Sequence, residues 1–185
     1  DSYGSRGLGD VYKRQLIREW IQIIADNSQD PAKLGTPAVY TTEDGVDLSQ
    51  MINKVLIGTV PYYQATGKYL TQLFDKGNSA AKEGKTYTDM EHYWDEAFGY
   101  FGAARDYNTY SDSDIKGKVN KDSNSDGKIN YNSEYNFSLA VGAAKRDVGS
   151  TSGTVDLTGD IFTAFLTGRA LITAEGAQED IAVHQ

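Results

Sequence analysis

The sequence has no cysteine in its 185 residues. Disulfides, zinc–thiolate sites and thiol nucleophiles are therefore excluded, while cytosol and bacterial envelope both stay open as compartments. Histidine is scarce, with only His92 and His184, and so is proline, at 31, 37 and 61. No apolar run approaches the roughly 20 residues of a membrane-crossing helix. No signal peptide is visible. Positive charge is in deficit: 18 Lys and Arg stand against 26 Asp and Glu, a net charge of −8. That balance argues against nucleic acid and anionic membrane, whose recognition needs basic patches. Convincing period-2 alternation is missing too, so strands are not expected. Nor is there a G-x-S-x-G elbow, a phosphate-cradling glycine loop or an H-E-x-x-H pair.

What is present suffices for one domain with a real core. Tyrosine is abundant, at 13 residues, and its half-polar ring suits half-buried surfaces. Residues 1–15 look foreign. Asp10-Val-Tyr-Lys-Arg-Gln15 resembles the in-frame translation of a transposase adapter used in shotgun sequencing libraries, and Asp1-Ser2 the same adapter in another frame. They read as an adapter-derived artefact. At the other end, 177–185 begins a helix-like run that stops without a cap. The expected organisation is a single helical domain over 16–185, truncated at both ends.

Apolar residues at 16, 17, 20, 21, 23 and 24 have helical spacing. Asp47 is placed to cap a helix carrying Leu48, Met51, Ile52, Val55 and Leu56. Gly58 and Pro61 interrupt it, and the pattern resumes from Tyr62 to Phe74. Thr88 and Glu91 form a capping box that opens a helix over 89–104. Residues 106–120 show no periodicity. A further helix is expected to start at Asn132 or Ser133 and run through Phe137, Leu139 and Val141 to Lys145. A Gly/Ser/Thr loop over 147–158 precedes a helix over 160–174. Gly58, Gly99, Gly102 and Gly168 are expected to permit close helix contacts or to weaken their helices. The fold class is all-α: a helical bundle with long loops, one carrying an EF-hand-like calcium loop.

That loop is the most informative stretch. Asp122, Asn124 and Asp126 place oxygen-bearing side chains at alternate positions, followed by Gly127, Lys128, Ile129 and Asn130. This is the first two-thirds of an EF-hand-type loop. Calcium is a hard cation that takes several oxygens from a short, sharply turned segment, and a glycine after the third ligand permits the turn. Lys128 offers its backbone carbonyl at position seven, and Asn130 stands at position nine. The template puts a bidentate acid at position twelve. Here that place holds Ser133, and Glu134 comes one later. Either a one-residue bulge lets Glu134 close the site, or the site is open and weak. The competing reading is a solvated Asx/Gly turn with no metal.

A second constellation lies on the helix over 89–104. His92 and Glu96 are four residues apart and Asp95 is three from His92, so they share a face. An imidazole with carboxylates can ligate a transition metal or act as an acid/base pair. The plainer reading is a half-buried histidine held by a carboxylate, with Trp94, Phe98 and Phe101 as the core stripe.

The run Met90-Glu-His-Tyr-Trp-Asp-Glu-Ala-Phe-Gly-Tyr-Phe-Gly-Ala-Ala-Arg-Asp-Tyr-Asn108 resembles the signature of an uncharacterised bacterial family, domain of unknown function 4856. Runs over 25–33, 40–50, 133–137 and 162–169 support it. The resemblance implies a longer protein of the cell envelope, periplasmic or a surface lipoprotein. It also implies an envelope partner in metal uptake and, through imelysin-like iron-uptake proteins, an imelysin-like helical fold. The imelysin hallmark is Gly-x-His-x-x-Glu. Here Met90 replaces the glycine and Asp95 takes the final place, with Glu96 one residue later, so no metal role transfers to His92 from that motif. The expected function is a non-enzymatic envelope protein with a calcium-binding loop, linked to metal or iron acquisition. The alternative is a metallohydrolase or peptidase using His92, Asp95 and Glu96. A third reading is an interaction module displaying tyrosines.

Overall fold

The computed structural model describes the backbone of residues 3–149 and 155–185 and the side chains of 15–149 and 155–185. Among them every regular element is helical, and the one extended pairing is an isolated antiparallel bridge between Thr41 and Asp47. The all-helical expectation holds. None of these helices is long and apolar enough to cross a membrane. The chain falls into two compact units, Asp1–Thr59 and Val60–Gln185.

In the first unit, α1 spans Tyr3–Asn27. Of the adapter-like residues 1–15, only helical backbone from Tyr3 onward and the side chain of Gln15 are described. Gly45, at φ +81°, turns the chain back toward α2, Leu48–Lys54. The Asp47 carboxylate caps α2 as its sequence position suggests, accepting from the Gln50 N–H at 2.9 Å. Among the described side chains of this unit, Leu48 alone is fully buried. A π-helical turn over Val55–Thr59 closes this unit; in the other unit Pro61 sits in a single turn, α3 (Val60–Tyr62), and π-helical turns follow over Tyr63–Leu70. Proline lacks an N–H and its ring obstructs the carbonyl four residues back. The expected interruption of the helix shows as wider, π-helical turns in place of regular α-helix.

The second unit is organised around α4, Asp89–Phe101. Both halves of its capping box form. Thr88 Oγ1 accepts from the Glu91 N–H at 3.1 Å, and the Glu91 carboxylate accepts from the Thr88 N–H at 2.9 Å. Toward its start, α4 packs Met90, Trp94 and Ala97 against Leu70, Leu73, Ile172 and Ile181. At its end, Phe101 joins Tyr107, Ile115, Ala140 and Phe162. Phe165 of α7, Leu157–Thr173, packs against both clusters. Trp94 is the keystone: its indole N–H donates to the Phe165 carbonyl at 2.9 Å, and its ring lies over Gly168. The expectation of a close helix contact holds at Gly168. Gly102 instead ends α4 in the left-handed region, at φ +84°. At Gly58 and Gly99 no neighbour stands within 4 Å of where a Cβ would be.

Two stretches differ from the sequence reading. Residues 106–120 are not irregular throughout: a 3₁₀ turn, Tyr107–Thr109, precedes a short helix α5, Asp112–Lys116. Five residues are too few for a 3.6-residue period to show, although Ser111 and Asp114 form a second capping box. The helix expected from 132 or 133 begins only at Ser138 as α6, Ser138–Gly149. Residues before it are held in other bonds. The buried Asn136 Oδ1 accepts from the Ala104 N–H at 2.7 Å, and the Phe137 N–H donates to the Gly102 carbonyl at 2.9 Å. An amide already engaged across the fold is withdrawn from the helical ladder. Of the expected 147–158 loop, residues 150–154 lie outside the described residues, and α6 takes up its first positions. The terminal run forms α8, Gln178–Ala182, which buries Ile181.

Candidate functional site

The loop over 122–134 is held together from within. The Asp122 carboxylate accepts from the N–H of Asp126 at 3.1 Å and of Gly127 at 2.7 Å. Asn124 Oδ1 accepts from Asp126 N–H at 3.0 Å, Asp126 Oδ1 from Lys128 N–H at 2.9 Å, and Asn130 Oδ1 from Asn132 N–H at 2.9 Å. Each is a short side chain bonding its own backbone a few residues on, as Asp and Asn do in turns. Gly127 takes φ +81° where the loop reverses.

Glu134 closes the ring. It is only 3 % exposed. Its Oε1 accepts from the Ser123 N–H at 3.0 Å and the Asn124 N–H at 3.1 Å, and its Oε2 from the Asn130 N–H at 2.8 Å. The acid that stands one place late in the sequence template thus reaches back across the whole loop. A tight turn brings it there: the Glu134 N–H donates to the Asn130 carbonyl at 2.7 Å. Beside the loop, Ser123 Oγ donates to Asp106 Oδ2 at 2.6 Å, and the Lys121 N–H donates to the Tyr110 hydroxyl at 3.0 Å. The other Asp106 oxygen is buried without a hydrogen bond. Burial raises the Tyr110 pKa; the bond from Lys121 opposes this, and the nearby Asp106 and Glu134 charges add to it.

The residues on α4 are divided between two sets of partners. His92 stacks on Tyr87 at 5.4 Å and meets Tyr93 edge-on at 6.4 Å, with its Nε2 3.8 Å from Glu96. Asp95 does not join them. Its carboxylate accepts from Arg169 of α7 at 2.9 Å, and Arg169 also donates to Glu91 at 2.7 Å and to the Thr173 hydroxyl. Burial pushes the Glu91 carboxyl up, but the Thr88 N–H, the Thr173 hydroxyl and Arg169 outweigh it, and the net shift is downward. Glu91 and Asp95 therefore clamp α4 to α7. Sequence reasoning missed this role of Arg169. Its one local signal is that it is the single basic residue of an apolar helix. Among the described residues, no group of three or more His, Cys, Asp and Glu side chains is placed to hold a metal ion.

A groove of about 520 Å³ opens where the C-terminal half of α4 meets the exit of the acidic loop. Phe98, Gly99 and Gly102 line it from α4 and its cap, and Tyr131, Tyr135 and Phe137 from the loop exit.

Fold and site together define an all-helical domain with long inter-helix loops, one folded around a buried glutamate. Within that class, the chain belongs to the family described as Domain of unknown function (DUF4856), whose sequence profile matches residues 16–182. The resemblance carried by residues 90–108 is thereby established. No curated protein and no solved structure matches the chain.

Proposed function

We propose that this is a non-enzymatic envelope protein whose 122–134 loop binds calcium as a structural clip, in the service of metal or iron acquisition. The observation that carries the calcium reading is Glu134, a carboxylate 3 % exposed that turns back onto the Asp122–Asn124–Asp126 series. The donor types suit a hard cation, because all are oxygen: Asp122, Asn124, Asp126, the Lys128 carbonyl, Asn130 and Glu134; in this structure the three acids do not stand as one cluster, so the ion would have to draw them together. A carboxylate offers about four lone-pair sites. The three N–H bonds on Glu134 orient it and leave acceptor capacity for an ion. Calcium there would supply charge neutralisation, and the chain's own turns would supply the shape. The envelope setting and the link to metal uptake are supported by the family resemblance of residues 90–108, not by the loop. The rival metallohydrolase or peptidase built on His92, Asp95 and Glu96 is disfavoured by the engagement of Asp95 with Arg169.

Isothermal titration with calcium at near-physiological salt is the test. We expect one site with Kd in the range of roughly 10⁻⁴ to 10⁻³ M or somewhat tighter. Calcium at ten times Kd should add about 1.4 kcal/mol of stability. Asp126→Ala should lose the heat. No heat, together with no shift in Tm on adding calcium, sinks the reading. Fractionation of cells making the full-length gene product tests the location, and a purely cytosolic product overturns that part.

A further inference from the structure

The groove beside the acidic loop has no part in the calcium reading. We infer that it binds a neutral carbohydrate chain, with a pyranose ring stacked on its tyrosines. Its volume of about 520 Å³ lies within the usual range for small-ligand sites, roughly 300–1,000 Å³. Two kinds of side chain line it. One kind is aromatic: Tyr131 is 74 % exposed and Phe137 45 % exposed. Tyr135 joins them, edge-on to Tyr131 at 5.1 Å and stacked with Phe137 at 6.2 Å. Large rings left in water cost hydration free energy and mark contact sites. The other kind is planar and hydrogen-bonding: Asp95, Arg105 and Asn132. Asp95 is oriented by Arg169 at 2.9 Å. The Arg105 guanidinium has no ion pair among the described residues. No neighbour stands within 4 Å of where a Gly99 Cβ would be, so space remains there.

A pyranose matches both kinds. Its C–H face packs on an aromatic ring, and its vicinal hydroxyls pair with planar carboxylate, amide and guanidinium groups. Other ligands fit less well. A peptide adding along the groove would need unpaired backbone groups. Two of the edges on hand are already used, Phe137 N–H on the Gly102 carbonyl at 2.9 Å and Arg105 N–H on the Ser133 carbonyl at 2.8 Å. A phosphate ligand would need more than one cation, and the net charge of −8 repels anionic polymers. Tyr131 lies in, and Tyr135 directly follows, the turn closed by the Glu134 N–H on the Asn130 carbonyl, so the aromatic wall is set before a ligand arrives.

Native affinity electrophoresis of the whole chain through gels containing laminarin, mannan, xylan or soluble starch tests this. At least one polysaccharide should retard the wild type. Tyr131→Ala and Arg105→Ala should each lose the retardation at unchanged Tm, since both side chains are exposed. The inference is overturned if no polysaccharide retards the chain, or if retardation survives in Tyr131→Ala. Retardation without a calcium heat would uphold the groove and sink the calcium site. A calcium heat without retardation would do the reverse.

Discussion

A methyl group at position 168 would collide with the edge of the Trp94 ring, which is 1 % exposed and hydrogen-bonded to the Phe165 carbonyl. Gly168→Ala must therefore push α7 away from α4 or turn the indole. Overpacking of this kind costs about 1–3 kcal/mol. Urea denaturation followed by tryptophan fluorescence should read that loss, and a loss under roughly 0.5 kcal/mol would mean that the contact gives way freely. Glu91 makes a second prediction at this scale. Its carboxyl is lowered below the ordinary value of 4.5. A depressed carboxyl contributes stability that is present above its unfolded pKa and lost as pH falls through the folded one. Wild-type stability should therefore decline on acidification below 4.5, and Glu91→Gln should show a flatter profile over the same interval. Equal slopes for the two proteins, from urea midpoints at stepped pH, would refute this. Glu91 was legible as a capping residue, because its cap partner lies three residues away. Its bond to Arg169 was not, because 78 residues separate the two.

Among the elements, the helices with caps were the most readable. Asp47 and Thr88 announce α2 and α4, since a cap acts within one turn and needs no tertiary partner. The acidic loop was half readable. Its Asx turns follow from Asp122, Asn124, Asp126 and Asn130 alone, each bonding a neighbour. The path of residues 133–137 was misjudged as helix, because Glu134, Asn136 and Phe137 bond to segments 10 to 35 residues away. Glu134→Gln should expose how much the loop depends on this. One carboxylate oxygen becomes an NH₂ facing backbone N–H donors, and an unmet buried donor costs about 1–3 kcal/mol. Amide hydrogen exchange at Ser123, Asn124 and Asn130 should quicken, while exchange in α4 should change little. Unchanged protection at those three amides would remove Glu134 as the fastener.

At the scale of the molecule, burial is uneven. The 60–185 unit holds two clusters bridged by Phe165, whereas Leu48 is the fully buried side chain described in 1–59. Small units bury too little surface to offset chain entropy. A fragment of 60–185 should melt cooperatively by circular dichroism, and 1–59 alone should show no cooperative transition. A cooperative melt for 1–59 would contradict the burial argument. Residue order was enough to indicate the all-helical character of the described residues, the capped helix starts and the loop that turns on Gly127. These follow from spacing and from bonds within a few residues. The clamp of Arg169 on Glu91 and Asp95, the inward path of Glu134 and the groove between α4 and the loop exit came only with the folded chain. Each joins segments distant in sequence, and which groups meet is settled by how whole helices pack.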